Sequence, residues 1–230
     1  MERYIEKEIN GERYLIKNPE WVEEQNKIFE EYRIRTANLP VHVKGLTLKD
    51  YVSSDRVIPR KLMIYIDEFE SKFKNIHLYF WSHENGTQKT TTASIVGNLL
   101  LSKGHSVQFV SMGDLIKNLQ SEQFDEGVLP AVETYKTCDF LIIDDAFDKR
   151  KATMYKSGWQ ISFLDQFLRH RLETVRLATC FTSNFSPDEI DENVFGISVK
   201  KLVNRSVLDP FHFTTLWQER NHFDPNDLWS

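Results

Sequence analysis

Cysteine is nearly absent from this chain: Cys138 and Cys180 are the two in 230 residues, far apart and each inside an apolar run. With no C-x-x-C pair there is no zinc framework to read, and two distant thiols are most simply the reduced, buried residues of a cytoplasmic protein. Also missing is any apolar run long enough to span a bilayer, and no secretory signal pattern is expected at the start. A basic excess is lacking as well. The formal net charge of -5 excludes a globally basic nucleic-acid binder, though a local basic stripe can still grip phosphates. There is neither an internal repeat nor a low-complexity tract. What is present, 40% hydrophobic and 27% charged residues, suits a globular protein with one core, or one core and a small appendage.

Residues 1–35 are charge-rich and carry one expected helix. Asn18 suits its cap, Pro19 its first turn, and Trp21, Val22, Ile28, Phe29 and Tyr32 form an apolar stripe. Such a helix serves either as a packed surface helix or as an arm that docks a partner. Asn38-Leu39-Pro40 breaks the chain, because the residue before proline is driven out of the helical region. A second helix is expected over Pro59 to Phe73, with Leu62, Ile66, Phe69 and Phe73 on one face.

Strand and helix then alternate. The pattern predicts strands at 76–81, 106–111, 139–144, 177–182 and 211–217, with helices at 90–103, 114–119, 128–136, 159–172 and 199–205. Ser186-Pro187-Asp188-Glu189 reads as a capping box that starts a further helix. Apolar strands spaced by amphipathic helices predict an α/β fold, a parallel sheet covered on both faces. Ligands of such sheets bind beyond the carboxyl ends of the strands.

One strand runs into His83-Glu84-Asn85-Gly86-Thr87-Gln88-Lys89-Thr90, nearly the phosphate-binding pattern G-x-x-x-x-G-K-[ST]. Lys89, Thr90 and the inner Gly86 are in place, while His83 and Gln88 stand where the two bracketing glycines belong. Between a strand and a helix, the loop N–H groups of Asn85 to Gln88 and the positive helix end would face a polyphosphate. Lys89 would reach the β- and γ-phosphates of ATP and Thr90 would offer its hydroxyl to Mg²⁺, with Thr91 assisting or capping the helix. The bland alternative is a lysine on the first turn of a surface helix. Gln88 either crowds the phosphates or donates its amide to them.

Two further strand ends add chemistry. Phe140-Leu141-Ile142-Ile143-Asp144-Asp145 ends in paired acids, the first placed to hold the Mg²⁺ shell and the second to deprotonate an attacking water. Thr179-Cys180-Phe181-Thr182-Ser183-Asn184 ends in a polar side chain able to hydrogen-bond that water or the γ-phosphate. Asn184 is the better placed there and Ser183 the reserve, although a Ser-Asn after a strand often makes only a turn.

Over about residues 36–222 the chain resembles the AAA+ ATPases of the DnaC/DnaI helicase-loader and IstB transposition-helper group. The resemblance is carried by Trp159 to Arg171 followed by Ala178 to Phe185, by Asp144-Asp145, and by Arg33 to Tyr51 with Leu46-Thr47-Leu48-Lys49-Asp50-Tyr51. It implies a P-loop AAA+ core with a five-stranded parallel sheet and a minimal lid, preceded by an arm at 1–35 and followed by a tail at 223–230. It implies a homo-oligomer in which Arg205 reaches a neighbouring subunit's γ-phosphate, and Arg220 acting within its own subunit. Single-stranded DNA binding is implied at Phe147 to Trp159, where Lys149, Arg150, Lys151 and Lys156 track phosphates and Tyr155 stacks on a base. The partner implied is a replicative helicase. A transposase, or the role of a non-hydrolysing adaptor, is the alternative. Departures from the pattern are the two missing loop glycines and the lack of a cysteine cluster near the start.

Overall fold

The computed structural model describes residues 2–10, 12–43, 46–49, 57–124, 130–148, 158–207 and 209–214. Contacts divide the chain into two compact units, Met1–Ala37 and Asn38–Ser230.

The first unit begins with a hairpin absent from the sequence expectations. Strands β1 (Tyr4–Ile9) and β2 (Glu12–Lys17) pair antiparallel from Tyr4 opposite Lys17 to Ile9 opposite Glu12. The signal was there to be read. Asn10-Gly11 separates the two runs, and Asn10 takes the left-handed φ of 55° that a tight two-residue hairpin turn requires. Helix α1 (Pro19–Thr36) follows, with the Asn18 side chain accepting from the Glu20 N–H and donating to the Glu2 carbonyl. In the expected stripe Trp21 and Val22 are half-buried, Trp21 lying under the Arg3 guanidinium, while Ile28, Phe29 and Tyr32 are exposed.

The second unit is a parallel sheet of five strands in the order β4-β5-β6-β3-β7. These are β3 (Leu78–Trp81), β4 (Val107–Ser111), β5 (Phe140–Asp144), β6 (Ala178–Ser183) and β7 (Phe211–His212). Helices α2 (Val57–Asp67) and α3 (Lys89–Ser102) cover one face. Phe140 meets the rings of Tyr65 and Phe69 there, and Gly97 lets α3 approach Ile142 closely. Alternate residues on the other face, Tyr79, Leu141, Ile143 and Phe181, enter a core built with α4 (Met112–Phe124), α5 (Pro130–Thr137), α6 (Gly158–Arg169) and α7 (Glu192–Ser206). Both cysteines are free and buried.

Several expected boundaries move. The helix expected to reach Phe73 stops at Asp67, and Phe69–Phe73 forms a wider π-turn; α6 likewise passes into a π-turn at His170–Thr174. The capping box at Ser186 is present, yet it starts only a 3-10 turn, Pro187–Glu189. Helix α7 begins later, capped by Asp191, and breaks at Gly196 (φ +83°). Of the last expected strand, Phe211–His212 is paired and residues 215–217 lie outside the described part. Among the described residues no helix is long and apolar enough to cross a membrane.

Candidate nucleotide site

Three strand ends meet at the carboxyl edge of the sheet. β6 lies between β3 and β5, so the end of β6 stands between the loop after β3 and the acids after β5. This order makes neighbours of residues far apart in sequence.

The loop wraps its own lysine. Lys89 opens α3, is 8% exposed, and its Nζ donates to the Glu84 carbonyl at 2.9 Å, the Thr87 hydroxyl at 3.2 Å and the Ser82 carbonyl at 3.5 Å. Burial lowers its pKa, and the nearby Asp145 and Asp144 push the other way. Gly86 takes φ +75° with open space where a Cβ would stand, so a side chain there is excluded by backbone strain and not by crowding. Gln88 takes φ +72°, the conformation that glycine adopts freely. Its side chain is 6% exposed, and its Nε2 is buried without a hydrogen-bond partner. An unpaired buried amide is costly, on the order of 1–3 kcal/mol, and a phosphate oxygen is the kind of acceptor that would relieve it.

Thr90 and Asp144 come together as the spacing predicts: the Thr90 hydroxyl donates to Asp144 Oδ1 at 2.7 Å. A hydroxyl beside a carboxylate is a hard-oxygen pair that fits Mg²⁺ held jointly with phosphates, the usual mode for this ion. Among the described residues no cluster of three His, Cys, Asp or Glu side chains is placed to hold a metal. Burial raises the Asp144 pKa, and hydrogen bonds from Thr182 and Thr90 oppose that rise. Asp145 is exposed and left-handed at φ 52°, and Phe147 is left-handed at φ 60°. Such strain, about 1–3 kcal/mol per residue, persists only where packing over-determines it. Phe147 supplies that packing, stacked on Tyr79 and edge-on to Phe195.

The reserve residue is engaged elsewhere and one residue is new. Ser183, the expected reserve for Asn184, is fully buried and donates to the Ala146 carbonyl at 2.7 Å, so it braces the acid turn. Asn184 sits just beyond β6, half-buried. Thr182 was not singled out by the sequence, yet its hydroxyl donates to Asp144 Oδ1 at 2.5 Å. Thr182 shares β6 with the hydroxyls of Thr179 and Ser183, so no local signal set it apart.

Arg205 is not brought to this site. It is exposed and hydrogen-bonded to Glu173, in the turn that precedes β6. That turn leads into the amino end of β6, with the Leu177 N–H bonded to the Arg171 carbonyl, while the neighbouring Asn204 donates to Asp188 in the turn beyond the strand's carboxyl end. Arg171, the arginine closing the long helical segment, is fully buried and donates to the carbonyls of Tyr135, Cys138 and Ala178 and to the Thr179 hydroxyl. Phe147 and Asp148, which open the expected DNA-binding segment, are buried. Lys149, Arg150, Lys151, Tyr155, Lys156 and Arg220 lie outside the described residues.

Known proteins carry the same plan. No family model matches the chain. The replicative helicase loader DnaI of Bacillus subtilis (strain 168) is 29% identical over 119 residues, 52% of this chain and 36% of that protein. The match thus spans about a third of the relative's length. A crystal structure of the DnaC helicase loader superposes with a TM-score of 0.64 at 17% identity, covering 76% of this chain and 100% of that one. The replication initiator DnaA, solved with AMPPCP and single-stranded DNA, superposes at 0.61 and 13% identity over 77% of this chain and 51% of that one. The superpositions show that the chain shares the fold of DnaC and DnaA, and over 119 residues its sequence is similar to that of DnaI.

Proposed function

We propose that this protein is an ATP-dependent helicase loader that binds single-stranded DNA and helps place a replicative helicase on it. The contact between Thr90 and Asp144 carries the nucleotide part of this reading, because it joins the lysine-threonine loop to the paired acids across the sheet. The arrangement also supports the division of labour expected from the sequence. Lys89, with Asn85 to Gln88 and Thr91 around it, binds the phosphates and offsets their charge. Asp145 accepts the proton of the attacking water, and Asn184 orients that water. Thr90 and Asp144 would hold Mg²⁺, which when bound neutralises charge on the phosphates. Arg205 serves a neighbouring copy in a homo-oligomer, for which it must leave Glu173. Arg220 contacts nucleotide within the subunit, and Lys149, Arg150, Lys151, Tyr155 and Lys156 meet the DNA. Residues 1–35 dock the helicase, residues 36–222 are the ATPase domain, and the protein works in the cytoplasm. DnaI and DnaC are helicase loaders by name, and DnaA has been solved with both ligands.

The test compares wild type with Lys89→Ala in MgATP binding, in single-strand binding with and without ATP, and in capture of the replicative helicase from the source cell. Nucleotide affinity is expected to fall at least about tenfold in the variant, for loss of a charged contact. Equal ATP affinity in the two proteins overturns the nucleotide reading, absence of strand binding overturns the DNA part, and capture of a transposase in place of the helicase overturns the loader role. The left-handed, buried Gln88 favours a second reading, a non-hydrolysing adaptor. Tight MgATP binding without turnover would select it.

A further inference from the structure

Four hydrogen bonds stitch the acid turn after β5 to the end of β6. Thr182 Oγ1 donates to Asp144 Oδ1 at 2.5 Å, and the same oxygen accepts the Asp145 backbone N–H at 3.2 Å. The Ala146 N–H bonds the Thr182 carbonyl at 2.7 Å, and Ser183 Oγ donates to the Ala146 carbonyl at 2.7 Å. A hydroxyl has one proton to give and two lone pairs to receive with, so Thr182 meets both acid residues through one atom. Register makes this geometry available: Ile143 pairs with Phe181, which sets Asp144 beside Thr182. Thr182 is 1% exposed, so solvent does not replace its hydroxyl if it is removed.

We propose that Thr182 is a positioning residue for both carboxylates, its hydroxyl orienting the side chain of Asp144 and holding the backbone from which Asp145 projects. This rests on the ATPase reading above. The other two bonds belong to the Thr182 backbone and to Ser183, so they hold the path of the turn whatever side chain stands at 182. What the hydroxyl adds is the direction of Asp144 and the left-handed setting of Asp145 at φ 52°. Thr182 also stands two residues before Asn184, which directly follows the strand, so the expected water-orienting side chain extends from the same strand end that supports both acids.

Thr182→Val keeps the β-branched shape and removes the hydroxyl; Thr182→Ser restores it. With MgATP, kcat in the valine variant is expected to fall about 10- to 100-fold, the scale of a hydrogen bond to a charged group, with KM changed less than about threefold. The serine variant is expected within about threefold of wild type. A second readout needs neither nucleotide nor metal: amide hydrogen exchange at Asp145 is expected to quicken at least about tenfold in the valine variant and not in the serine variant. Should valine not fold, Thr182→Ala removes the same hydroxyl with less bulk and is judged by the same criteria. Unchanged kcat in a folded variant lacking the hydroxyl overturns the proposal, whether or not the Asp145 amide exchanges faster. Wild-type protein that shows no turnover of MgATP overturns it together with the ATPase reading, and that failure is told apart because it appears before any substitution is made.

Discussion

Acid should destabilise this protein in part through one buried histidine. His77 stands just before β3, is 6% exposed, and its Nδ1 is buried without a hydrogen-bond partner. Burial lowers its pKa from 6.5 to about 4, helped by the charges of Arg171 and Arg176 and opposed by a hydrogen bond to the Leu172 backbone. The sign follows from proton counting. Between about pH 6.5 and pH 4 the unfolded chain carries a proton on this imidazole that the folded chain refuses, so stability is present above this window and is lost as pH falls through it. A gap of about 2.5 units corresponds to roughly 3 kcal/mol once pH is below 4, of which about 2 kcal/mol is lost between pH 7 and pH 5. For a domain of this size that is a drop in Tm of roughly 4–8 °C. Other groups titrate over the same range, so the assay is a difference: thermal unfolding of wild type and of His77→Phe, measured from pH 7 to pH 5. The phenylalanine protein should lose about 2 kcal/mol less over that interval. Parallel curves for the two proteins would refute the reasoning, since they would mean that His77 takes up its proton equally in the folded and unfolded states.

Three further outcomes are expected. Arg171→Met should lower stability by about 3–5 kcal/mol in urea unfolding, because three buried carbonyls and the Thr179 hydroxyl lose the guanidinium that satisfies them. Gly97→Val should cost about 2 kcal/mol or more by the same measurement. The first carbon added at Gly97 already stands 3.0 Å from Ile142, 3.1 Å from Val107 and 3.4 Å from Leu39, so the two further methyls of valine must push these side chains aside. Arg205→Ala should change stability by less than about 1 kcal/mol, as its pair with Glu173 is exposed. In the proposed oligomer it should nonetheless reduce turnover at least about tenfold, and mixing it with Lys89→Ala protein should recover part of the rate. Each variant supplies the part the other lacks.

Local pattern determined a good deal by itself. The alternation of apolar strands with amphipathic helices specified a parallel α/β sheet, because period and length of the apolar runs are properties of contiguous residues. It also located the loop at 82–90, the acids at 144–145 and the Asn18 cap, each written in a few neighbouring residues. Asn10-Gly11 was equally legible as a hairpin and was passed over in favour of the helix beyond it. The capping box at Ser186 shows the opposite limit: its local chemistry formed, but the chain turned only once before Asp191 offered a second cap.

Only the tertiary structure decided which strand ends face one another. Nothing near Thr182 in the sequence announces that its hydroxyl lies against Asp144, because that contact depends on the register of β6 with β5, settled by side chains packing on both sheet faces. The same holds for Ser183, spent on the acid turn, and for Arg205, held by Glu173. Lys89 could be picked out as a candidate phosphate ligand from its neighbours in sequence; that its ammonium rests on the carbonyls of its own loop could not. Sequence specified the groups and the strand ends they occupy. Folding assigned their partners, because hydrogen bonds across a sheet depend on distance in space and not on separation along the chain.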